Sequence, residues 1–471
     1  MKISLSFLGA VQNITGSRHL LKVDGTSILV DCGLYQERQF KDRNWDPFPI
    51  NPETIDAVFL THAHLDHCGL LPKLVKEGFK GKIYCTQATA EIAQIILFDA
   101  AHIQEEDAEH KKRRHKKKGH KPPREVKPLY TTEDVQQCLP LFETVEYRKS
   151  ITISDTVETT FYDAGHVLGS AIIRVKVRKS GQERIIIFSG DIGRPGRPIV
   201  CDPTVFDTAD YVIIESTYGD RLHKEVVDIK TNIAQVINDT IKAGGNIIVP
   251  SFALERSQEM LYYLNKLLQD NDIPHFKIFL DSPMASKITK IFKQHAELFD
   301  PEMTEFVNSH HSPFKLADLQ LAGKAEQSKA INNINEPVMI IAGSGMCTGG
   351  RVKYHLINNI TNPKNTVMFI GYQAIGTLGR LITDGAKKIR ILGEQYKVKA
   401  KIVRIHGFSS HADQQELFNW LNELKTPPKE VFVVHGEKNS SEAFAEFIKR
   451  KTGWNVTVPE FEQEITVEEI N

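Results

Sequence analysis

The stretch Thr61-His62-Ala63-His64-Leu65-Asp66-His67 places three imidazoles and a carboxylate within six positions, directly after the strand-like run 55–60. Histidines two residues apart at a strand end turn their rings to the same side, while residues 66 and 67 lie about a turn further on. Imidazole and carboxylate groups are common ligands of divalent metals. The stretch therefore predicts two adjacent metal sites. The alternative is a polar loop whose histidines cap a helix that begins near Leu70.

Two later segments supply further side chains of the same kind. Residues 163–170 place a histidine in a glycine-flanked turn, and residues 188–191 end a β run with an aspartate. Either segment alone would be weak evidence, because a single histidine or strand-end aspartate is more often structural. Together with the first stretch, they predict one ion held by His62, His64 and His166, a second ion held by Asp66 and His67, and Asp191 as the bridging carboxylate.

The predicted ligands are imidazoles and carboxylates without a thiolate, a set that suits Zn²⁺, with Mn²⁺ as the second choice. We expect two ions per chain. Asp31 follows a predicted strand and is expected to accept a hydrogen bond that orients either a ligand or Asp66.

Short strands and tight turns surround this region of the chain. Asp24-Gly25 is a favoured hairpin dipeptide between two predicted strands within residues 19–31. Further strands are predicted at 58–61, 82–85, 171–177 and 185–189, with helices at 70–78 and 88–106. These elements indicate a sheet-rich layer with helices on its outside.

From about residue 213, strands and helices alternate, as in a doubly wound parallel sheet. Residues 245–250 and 336–342 predict buried strands, and residues 256–268 predict an amphipathic helix. After residue 400 the first pattern returns, with strands at 400–405 and 430–434 around a helix. The second unit is therefore predicted to be inserted into the first.

The composition favours a globular enzyme over a fibrous or membrane-spanning protein. The chain has 471 residues, 41% hydrophobic and 25% charged, and its 59 basic residues balance its 59 acidic residues. Bulk charge therefore indicates no partner. The six cysteines are scattered without a Cys-x-x-Cys pair, which fits a reducing compartment. The N-terminal residues lack a signal-peptide pattern, and no apolar run approaches the roughly 20 residues of a membrane span. We expect a cytoplasmic protein without membrane contact.

One segment, residues 109–121, is strongly basic and shows no apolar periodicity. Two interpretations stay open. One is a solvated mobile loop, and the other is an electrostatic arm that attracts a phosphate backbone, which would make binding depend steeply on salt. The two are compatible, because the arm could be mobile until RNA binds.

A glycine-rich segment, residues 342–351, follows an apolar strand, and its backbone amides could approach a phosphate closely. We expect Ser344, Gly345 and Met346 to contact a substrate phosphate. In residues 250–258, Ser251 is expected to cap a helix, and Ser251 and Arg256 are expected to lie at the substrate phosphate. A flexible turn and an internal salt bridge of Arg256 are the respective alternatives.

These features resemble the metallo-β-lactamase superfamily, whose signature is similar to His62-x-His64-x-Asp66-His67 followed by His166 and Asp191. Three further positions resemble the conserved motifs of the β-CASP nucleases, namely Glu215, His411 and His435. The resemblance implies an α/β fold, an αββα sandwich with an inserted β-CASP domain. The implied domains are residues 1–210 and 396–471 for the sandwich and 211–395 for the insertion.

The resemblance also implies a function and residue roles. A histidine at position 435 favours the RNA-directed branch, so single-stranded RNA is the expected substrate. Within that branch, residues 406–413 look closer to bacterial and archaeal relatives of the cleavage and polyadenylation specificity factor nuclease than to ribonuclease J. His435 would complete the second metal site. His411, steadied by Glu215, would donate a proton to the departing sugar oxygen or bind the scissile phosphate. The two cations would share the attacking hydroxide and neutralise the phosphate.

Two other functions compete with this expectation, and several points stay open. The chain could be a small-molecule hydrolase on the same scaffold, or an RNA-binding scaffold without catalysis. The sequence leaves open endonuclease against 5′–3′ exonuclease action, and a homodimer is among the assemblies we expect.

Overall fold

The computed structural model describes residues 2–118, 126–223, 228–309, 312–374 and 376–469. The chain divides into two compact units. Unit 1 comprises Met1–Leu222 and Ser410–Asn471, and unit 2 comprises His223–Ser409. Unit 2 interrupts unit 1, as the sequence predicted. Both junctions lie C-terminal to the predicted ones, which followed residues 210 and 395.

Unit 1 contains two seven-stranded sheets among the described residues. The first sheet consists of β1 (Lys2–Gly9), β2 (Arg18–Val23), β3 (Thr26–Val30), β4 (Ala57–Phe59), β5 (Lys82–Thr86), β6 (Phe142–Val145) and β22 (Gln463–Glu469). Their spatial order is β22-β1-β2-β3-β4-β5-β6. Strands β2 and β3 pair antiparallel with Val23 opposite Thr26, which confirms the hairpin predicted at Asp24-Gly25.

The second sheet has the spatial order β21-β20-β11-β10-β9-β8-β7. Its strands are β7 (Ser150–Ser154), β8 (Val157–Asp163), β9 (Ala171–Lys179), β10 (Gln182–Phe188), β11 (Tyr211–Glu215), β20 (Glu430–Val434) and β21 (Val456–Thr457). Strand β11 pairs in parallel with both β10 and β20. The sequence placed the start of the inserted domain at residue 211. The junction lies later in the chain, because β11 belongs to this sheet of unit 1.

The core of unit 1 lies between the two sheets, because side chains alternate between the faces of each strand. On β20, Phe432 and Val434 join the apolar cluster that also contains Ile3 and Leu5 of the first sheet. Val431 and Val433 point the other way, toward helices on the outside. The outer helices are α1 (Leu65–Cys68), α2 (Leu71–Lys76), α3 (Gln87–Lys118), α4 (Thr132–Cys138), α12 (Gln414–Leu421) and α13 (Lys438–Thr452). The predicted helix–sheet–sheet–helix sandwich is confirmed.

Helix α3 corrects one prediction. The sequence predicted a helix only to residue 106, and the loop interpretation of the basic run is wrong for residues 110–118, which continue α3. Lysine and arginine are good helix formers, and cations near a helix C-terminus interact favourably with its dipole. His120 and Lys121, which also belong to the predicted basic run, lie outside the described residues.

Unit 2 contains a parallel sheet of six strands in the order β14-β13-β15-β12-β16-β19. These are β12 (Ile247–Pro250), β13 (Lys277–Asp281), β14 (Leu319–Leu321), β15 (Val338–Ala342), β16 (Thr366–Phe369) and β19 (Lys401–Arg404). Strands β17 (Lys388–Ile391) and β18 (Glu394–Lys397) form a separate hairpin. The sequence predicted that the strand at residues 400–405 belongs to the returning first domain. This prediction is wrong, because β19 pairs with β16 and is part of the sheet of unit 2.

Helices connect the strands of unit 2, as expected for a parallel sheet. They are α5 (Ile229–Lys242), α6 (Arg256–Gln269), α7 (Pro283–Gln294), α8 (Pro301–Asn308), α9 (Ala325–Ile331), α10 (Val352–Asn359) and α11 (Leu378–Thr383). Short 3₁₀ turns cover Lys41–Trp45, Pro52–Thr54, Leu139–Leu141 and Ala296–Leu298. Within the described part of the chain, no helix combines the length and apolar character needed to span a membrane.

Candidate metal centre

Four side chains of unit 1 converge on one point, which we call the first cluster: His62, His64, His166 and Asp191. The Nδ1 atom of His64 lies 3.0 Å from Nε2 of His62 and 3.3 Å from Nε2 of His166. Oδ2 of Asp191 lies 3.4 Å from Nε2 of His62 and 3.4 Å from Nε2 of His166. The three histidines that the sequence assigned to one ion therefore meet in space.

The second cluster contains Asp66, His67 and His435. The Nε2 atoms of His67 and His435 are 3.1 Å apart. Oδ1 of Asp191 lies 3.3 Å from Nε2 of His67 and 3.6 Å from Nε2 of His435. Because its Oδ2 atom faces the first cluster, the Asp191 carboxylate lies between the two clusters.

The geometry of both clusters fits divalent metal ions. Ligand atoms about 2.1 Å from a tetrahedral zinc ion lie roughly 3.4 Å apart, close to the separations in the first cluster. Oδ1 of Asp191 is buried and accepts no hydrogen bond within the described residues. A buried carboxylate oxygen without a donor is costly unless a cation balances it. The imidazole and carboxylate atoms therefore match a metal centre better than a hydrogen-bonded network.

The loop after β4 carries His62 and His64, and helix α1 carries His67. His64 occupies the residue before helix α1, but its side chain makes no capping hydrogen bond there. Its ring points into the first cluster. The alternative prediction, that the histidines cap a helix, is therefore wrong for His64. On the opposite loop, Gly190 has φ +55°, and a Cβ atom there would lie 2.9 Å from Cβ of Thr61. A glycine lets the two loops approach and places Asp191 between them.

The outer nitrogen of His67 is held by Asp31. Oδ2 of Asp31 lies 2.7 Å from Nδ1 of His67, and Oδ1 accepts hydrogen bonds from the amide and hydroxyl of Thr61 at 2.9 and 3.0 Å. The sequence left open whether Asp31 orients a ligand or Asp66, and the contact observed is with His67. An acceptor on Nδ1 leaves the Nε2 lone pair of a neutral ring for a metal ion.

Two threonines, for which the sequence predicted no role, hold further ligands. Oγ1 of Thr61 lies 3.1 Å from Nδ1 of His62, and Oγ1 of Thr217 lies 3.1 Å from Nδ1 of His435. Thr61 immediately precedes His62, so its contact with this ligand could have been predicted from the sequence. Thr217 contacts a residue far away in the sequence, and only the folded chain reveals this contact.

His411 and Glu215 form a pair beside the first cluster. Nδ1 of His411 donates to Oε1 of Glu215 at 3.0 Å, and Oε1 also accepts from the amide of Ile192 at 2.8 Å. Nε2 of His411 lies 3.9 Å from Oδ2 of Asp191, and the side chain is 21% exposed. Burial opposes a charge on this ring, but Glu215 and Asp191 outweigh it and raise the pKa of His411 to about 9. The ring is therefore placed to carry a proton next to the cluster.

The pKa values of the cluster residues shift in different directions. Burial lowers the pKa of His64 to about 4, and burial together with His67 lowers the pKa of His62 well below its ordinary value. Burial also acts against charge on His67, but Asp191 and Asp31 raise its pKa well above the ordinary value. Burial would raise the pKa of Asp191, yet the surrounding histidines, His435 first, hold it well below the ordinary range. Neutral imidazoles and ionised carboxylates bind metals, so His62, His64 and Asp191 are already in the binding form, whereas His67 has to release a proton when an ion binds.

The residues predicted to bind phosphate all lie in unit 2. The prediction that Ser251 caps helix α6 is wrong, because Glu255 precedes this helix and the Ser251 hydroxyl donates to the carbonyl of Phe252 at 3.1 Å. Arg256 is buried and forms an ion pair with Glu259, the alternative that the sequence left open. A side chain engaged this way is less available to a phosphate.

The glycine-rich loop is closed by its own hydrogen bonds. The hydroxyl of Ser344 accepts from the amide of Gly349 at 3.1 Å, and the carbonyl of Met346 accepts from the amide of Gly379 at 3.1 Å. The carbonyl of Gly345 accepts from Nε2 of Gln373 at 3.0 Å. Phosphate contacts by Ser344, Gly345 and Met346 stay a prediction.

Comparison with protein families matches three consecutive parts of the chain. Residues 20–190 match the metallo-beta-lactamase superfamily domain, residues 257–382 the Beta-Casp domain, and residues 395–459 the Zn-dependent metallo-hydrolase RNA specificity domain. A crystal structure of a protein of unknown function from Enterococcus faecalis aligns with 99% of this chain and 100% of its own, with a TM-score of 0.56 and 12% identity. That likeness concerns the fold alone.

Several relatives match over nearly the whole chain. Ribonuclease TTHA0252 of Thermus thermophilus is 35% identical over 98% of this chain and 99% of its own length. Two proteins of Methanocaldococcus jannaschii are also similar. Transcription termination factor FttA is 31% identical over 95% of this chain and 69% of its own, and an RNase J-like protein is 30% identical over 94% of each. The chain therefore belongs to the β-CASP family of the metallo-β-lactamase superfamily.

Proposed function

We propose that this protein is a metal-dependent ribonuclease that hydrolyses phosphodiester bonds of single-stranded RNA. The observation that carries the proposal is the Asp191 carboxylate, whose two oxygens face two separate histidine clusters. Such an arrangement suits a pair of ions, and a pair of ions suits an anionic phosphodiester. Relatives that match nearly the whole chain are named ribonuclease and RNase J-like protein.

Two Zn²⁺ ions are the proposed cofactors, with Mn²⁺ as an alternative, since the ligand atoms are nitrogens and oxygens. The first would be held by His62, His64 and His166, the second by Asp66, His67 and His435, and Asp191 would serve both. When bound, such ions neutralise phosphate charge and bring the pKa of water near 7.

The chain's own residues supply orientation and a proton. Asp31 and Thr217 fix the rings of His67 and His435 through their Nδ1 atoms. Glu215 holds Nδ1 of His411, so Nε2 is the atom turned toward the cluster. We assign to it the donation of a proton to the departing sugar oxygen. Attack by water then leaves a 5′-phosphate and a 3′-hydroxyl.

The decisive experiment compares three substrates with and without a chelator. Purified protein is incubated with labelled RNA, single-stranded DNA of the same sequence and a chromogenic lactam. We expect chelator-sensitive cleavage of RNA alone. Lactam turnover without RNA cleavage would identify a small-molecule hydrolase, and RNA binding without any turnover would identify a scaffold. Either result would overturn the proposal.

The mode of cleavage is tested separately with end-labelled and circular RNA. Circular RNA has no 5′ end, so its cleavage requires endonuclease action. A product ladder that forms from linear RNA while circular RNA stays intact would assign an exonuclease.

A further inference from the structure

The carboxyl edge of the parallel sheet in unit 2 carries loops that the proposed chemistry does not use. Strands β12, β15 and β16 are neighbours and run in the same direction. They end at Pro250, Ala342 and Phe369, so the loops that follow them share one edge. In open parallel sheets, ligands characteristically bind at this edge.

Two aromatic rings on these loops are substantially exposed. Phe252 follows β12 and is 38% exposed, and Tyr372 follows β16 and is 42% exposed. Half of the fourteen Phe and Tyr side chains of unit 2 are buried, including Phe279, Phe292 and Phe369, and three are exposed. Single exposed rings are ordinary, but two rings on adjacent loops of one ligand-binding edge suggest a binding surface.

The Phe252 ring packs against the backbone at Gly345 and Gly371, which we call the glycine seat. A Cβ atom on Gly345 would lie 2.6 Å from Cδ2 of Phe252, closer than any side chain allows. A Cβ atom on Gly371 would lie 3.6 Å from Cε2 of the same ring, an ordinary contact. The ring therefore rests against two backbone segments, and at position 345 only glycine leaves room for it.

The side chain of Gln373 ties these two backbone segments together. Its Nε2 atom donates to the carbonyl of Gly345 at 3.0 Å and to the carbonyl of Gly371 at 3.2 Å. Gln373 itself is buried. Tyr372 lies between Gly371 and Gln373 in the chain, so the same contacts position the loop that carries the second ring. The seat is thus fixed before any ligand binds.

We propose that Phe252 and Tyr372, the aromatic platform, stack the bases of single-stranded RNA. A fixed ring that is partly open to solvent offers a flat apolar surface, and stacking on it tolerates every base. The proposal rests on the proposed ribonuclease function and names how its substrate is held. A base in a duplex is already stacked on its neighbours, so the platform selects unpaired RNA.

The test uses the metal-loaded protein and a phosphorothioate RNA that resists hydrolysis. Phe252→Leu keeps an apolar side chain on the glycine seat but removes the aromatic face. We expect the dissociation constant, measured by fluorescence anisotropy, to rise about 5- to 100-fold. Tyr372→Leu should weaken binding in the same direction. Tyr354→Leu is the matched control, because Tyr354 is 58% exposed but lies on helix α10.

RNA molecules that lack one base at a time separate stacking from other interactions. The parent protein should lose affinity at particular abasic positions. At the nucleotide that stacks on Phe252, removing the base should reduce the affinity of the Phe252→Leu variant only slightly. The base removal and the substitution eliminate the same interaction, so their effects should not add. Additive losses at every position would overturn the proposal, as would parent-like binding by Phe252→Leu or an equal loss in Tyr354→Leu.

A second variant guards against a folding defect in the first. The Phe252→Trp variant should bind RNA as tightly as the parent does. Intact RNA should quench the tryptophan fluorescence of this variant more than that of the parent protein. RNA that lacks the base at the matching position should not cause this additional quenching. An unchanged emission on binding would overturn the proposal. The proposed function fails separately: a parent protein that binds RNA through the platform but never cleaves it would refute hydrolysis and leave the platform standing.

Discussion

Asp191 is the residue that links the first and the second cluster. It is buried, and its two oxygens lie within 3.6 Å of four different imidazole nitrogens. A carboxylate in this position would offset the positive charge of the two proposed ions. An amide of the same size would keep the packing but lose the charge and one acceptor.

Asp191→Asn should therefore bind less metal and cleave RNA more than about 100-fold more slowly. Elemental analysis of the purified variant measures the metal, and initial rates on labelled RNA measure the cleavage. Asp207→Asn is a suitable control, because Asp207 belongs to the same unit but is 69% exposed. Full metal content and full activity in Asp191→Asn would contradict the assignment of this site.

His411 should behave differently from the ligands, since it is proposed to move a proton. His411→Ala should keep its metal but lose about 10²- to 10⁴-fold in kcat. Imidazole added to the solution should restore part of the activity. The control is His102→Ala, a histidine of the same unit that is 64% exposed. An unchanged kcat, or a loss of metal equal to that of Asp191→Asn, would remove the role proposed for His411.

At the scale of single elements, helix α3 extends well beyond the core of unit 1. Buried positions occur along its first part and end at Ala108, whereas the basic residues after position 110 are mostly exposed. The last ten residues extend the helix by about 15 Å. Cations three and four positions apart repel one another weakly along this stretch, and a polyanion would relieve that repulsion.

We expect the basic end of α3 to attract RNA. Replacing Arg113, Arg114, Lys116 and Lys117 by glutamine should weaken RNA binding at low salt. The slope of log affinity against log salt should fall by up to about 3, at roughly 0.7 for each phosphate that the variant no longer neutralises. Measurements at several salt concentrations give this slope directly.

The matched control neutralises the basic last turn of helix α13, Lys449, Arg450 and Lys451, in the same unit. A general effect of net charge would lower the salt slope in both variants. If RNA docks on the basic end of α3, the salt slope falls only in the α3 variant. If both show the parent's salt slope, the α3 run is an ordinary solvated surface.

At the scale of the whole molecule, an ion-pair network joins the two sheets of unit 1. Glu468 on β22 accepts from Nε of Arg184 at 2.7 Å, from Nζ of Lys429 at 2.6 Å and from the hydroxyl of Tyr211 at 3.0 Å. Arg184 and Tyr211 belong to β10 and β11 of the other sheet. Arg184 above all, then Lys429 and Tyr211, lower the pKa of Glu468 to about 2.

This network predicts how stability depends on pH. A carboxyl whose pKa is lower in the folded state stabilises the fold above its ordinary pKa of about 4.5, and the contribution is lost as pH falls toward 2. Because the network lies at a solvated edge, we expect it to contribute roughly 1 to 2 kcal/mol. Glu468→Gln should lower the unfolding midpoint at pH 6, measured by calorimetry, and the difference from the parent should shrink toward pH 3. A difference that stays constant with pH would contradict the ionic origin.

Much of this molecule follows from the sequence alone, because the signals are local. Ligands at positions 62, 64, 66 and 67 lie on one short loop, and the hairpin at residues 24 and 25 is fixed by its own dipeptide. The change from alternating strands to a parallel unit follows from hydrophobic periodicity, which depends only on neighbouring residues. Zinc as the metal, two ions per chain and a homodimer stay predictions.

Only the tertiary structure decides which distant atoms meet. It places the two oxygens of Asp191 in different clusters, Thr217 on His435, and Gln373 between two glycine segments. It pairs Arg256 with Glu259 and continues α3 through the basic run. These outcomes depend on side-chain directions and on the packing of segments far apart in the chain, whereas a sequence pattern records only the spacing along it.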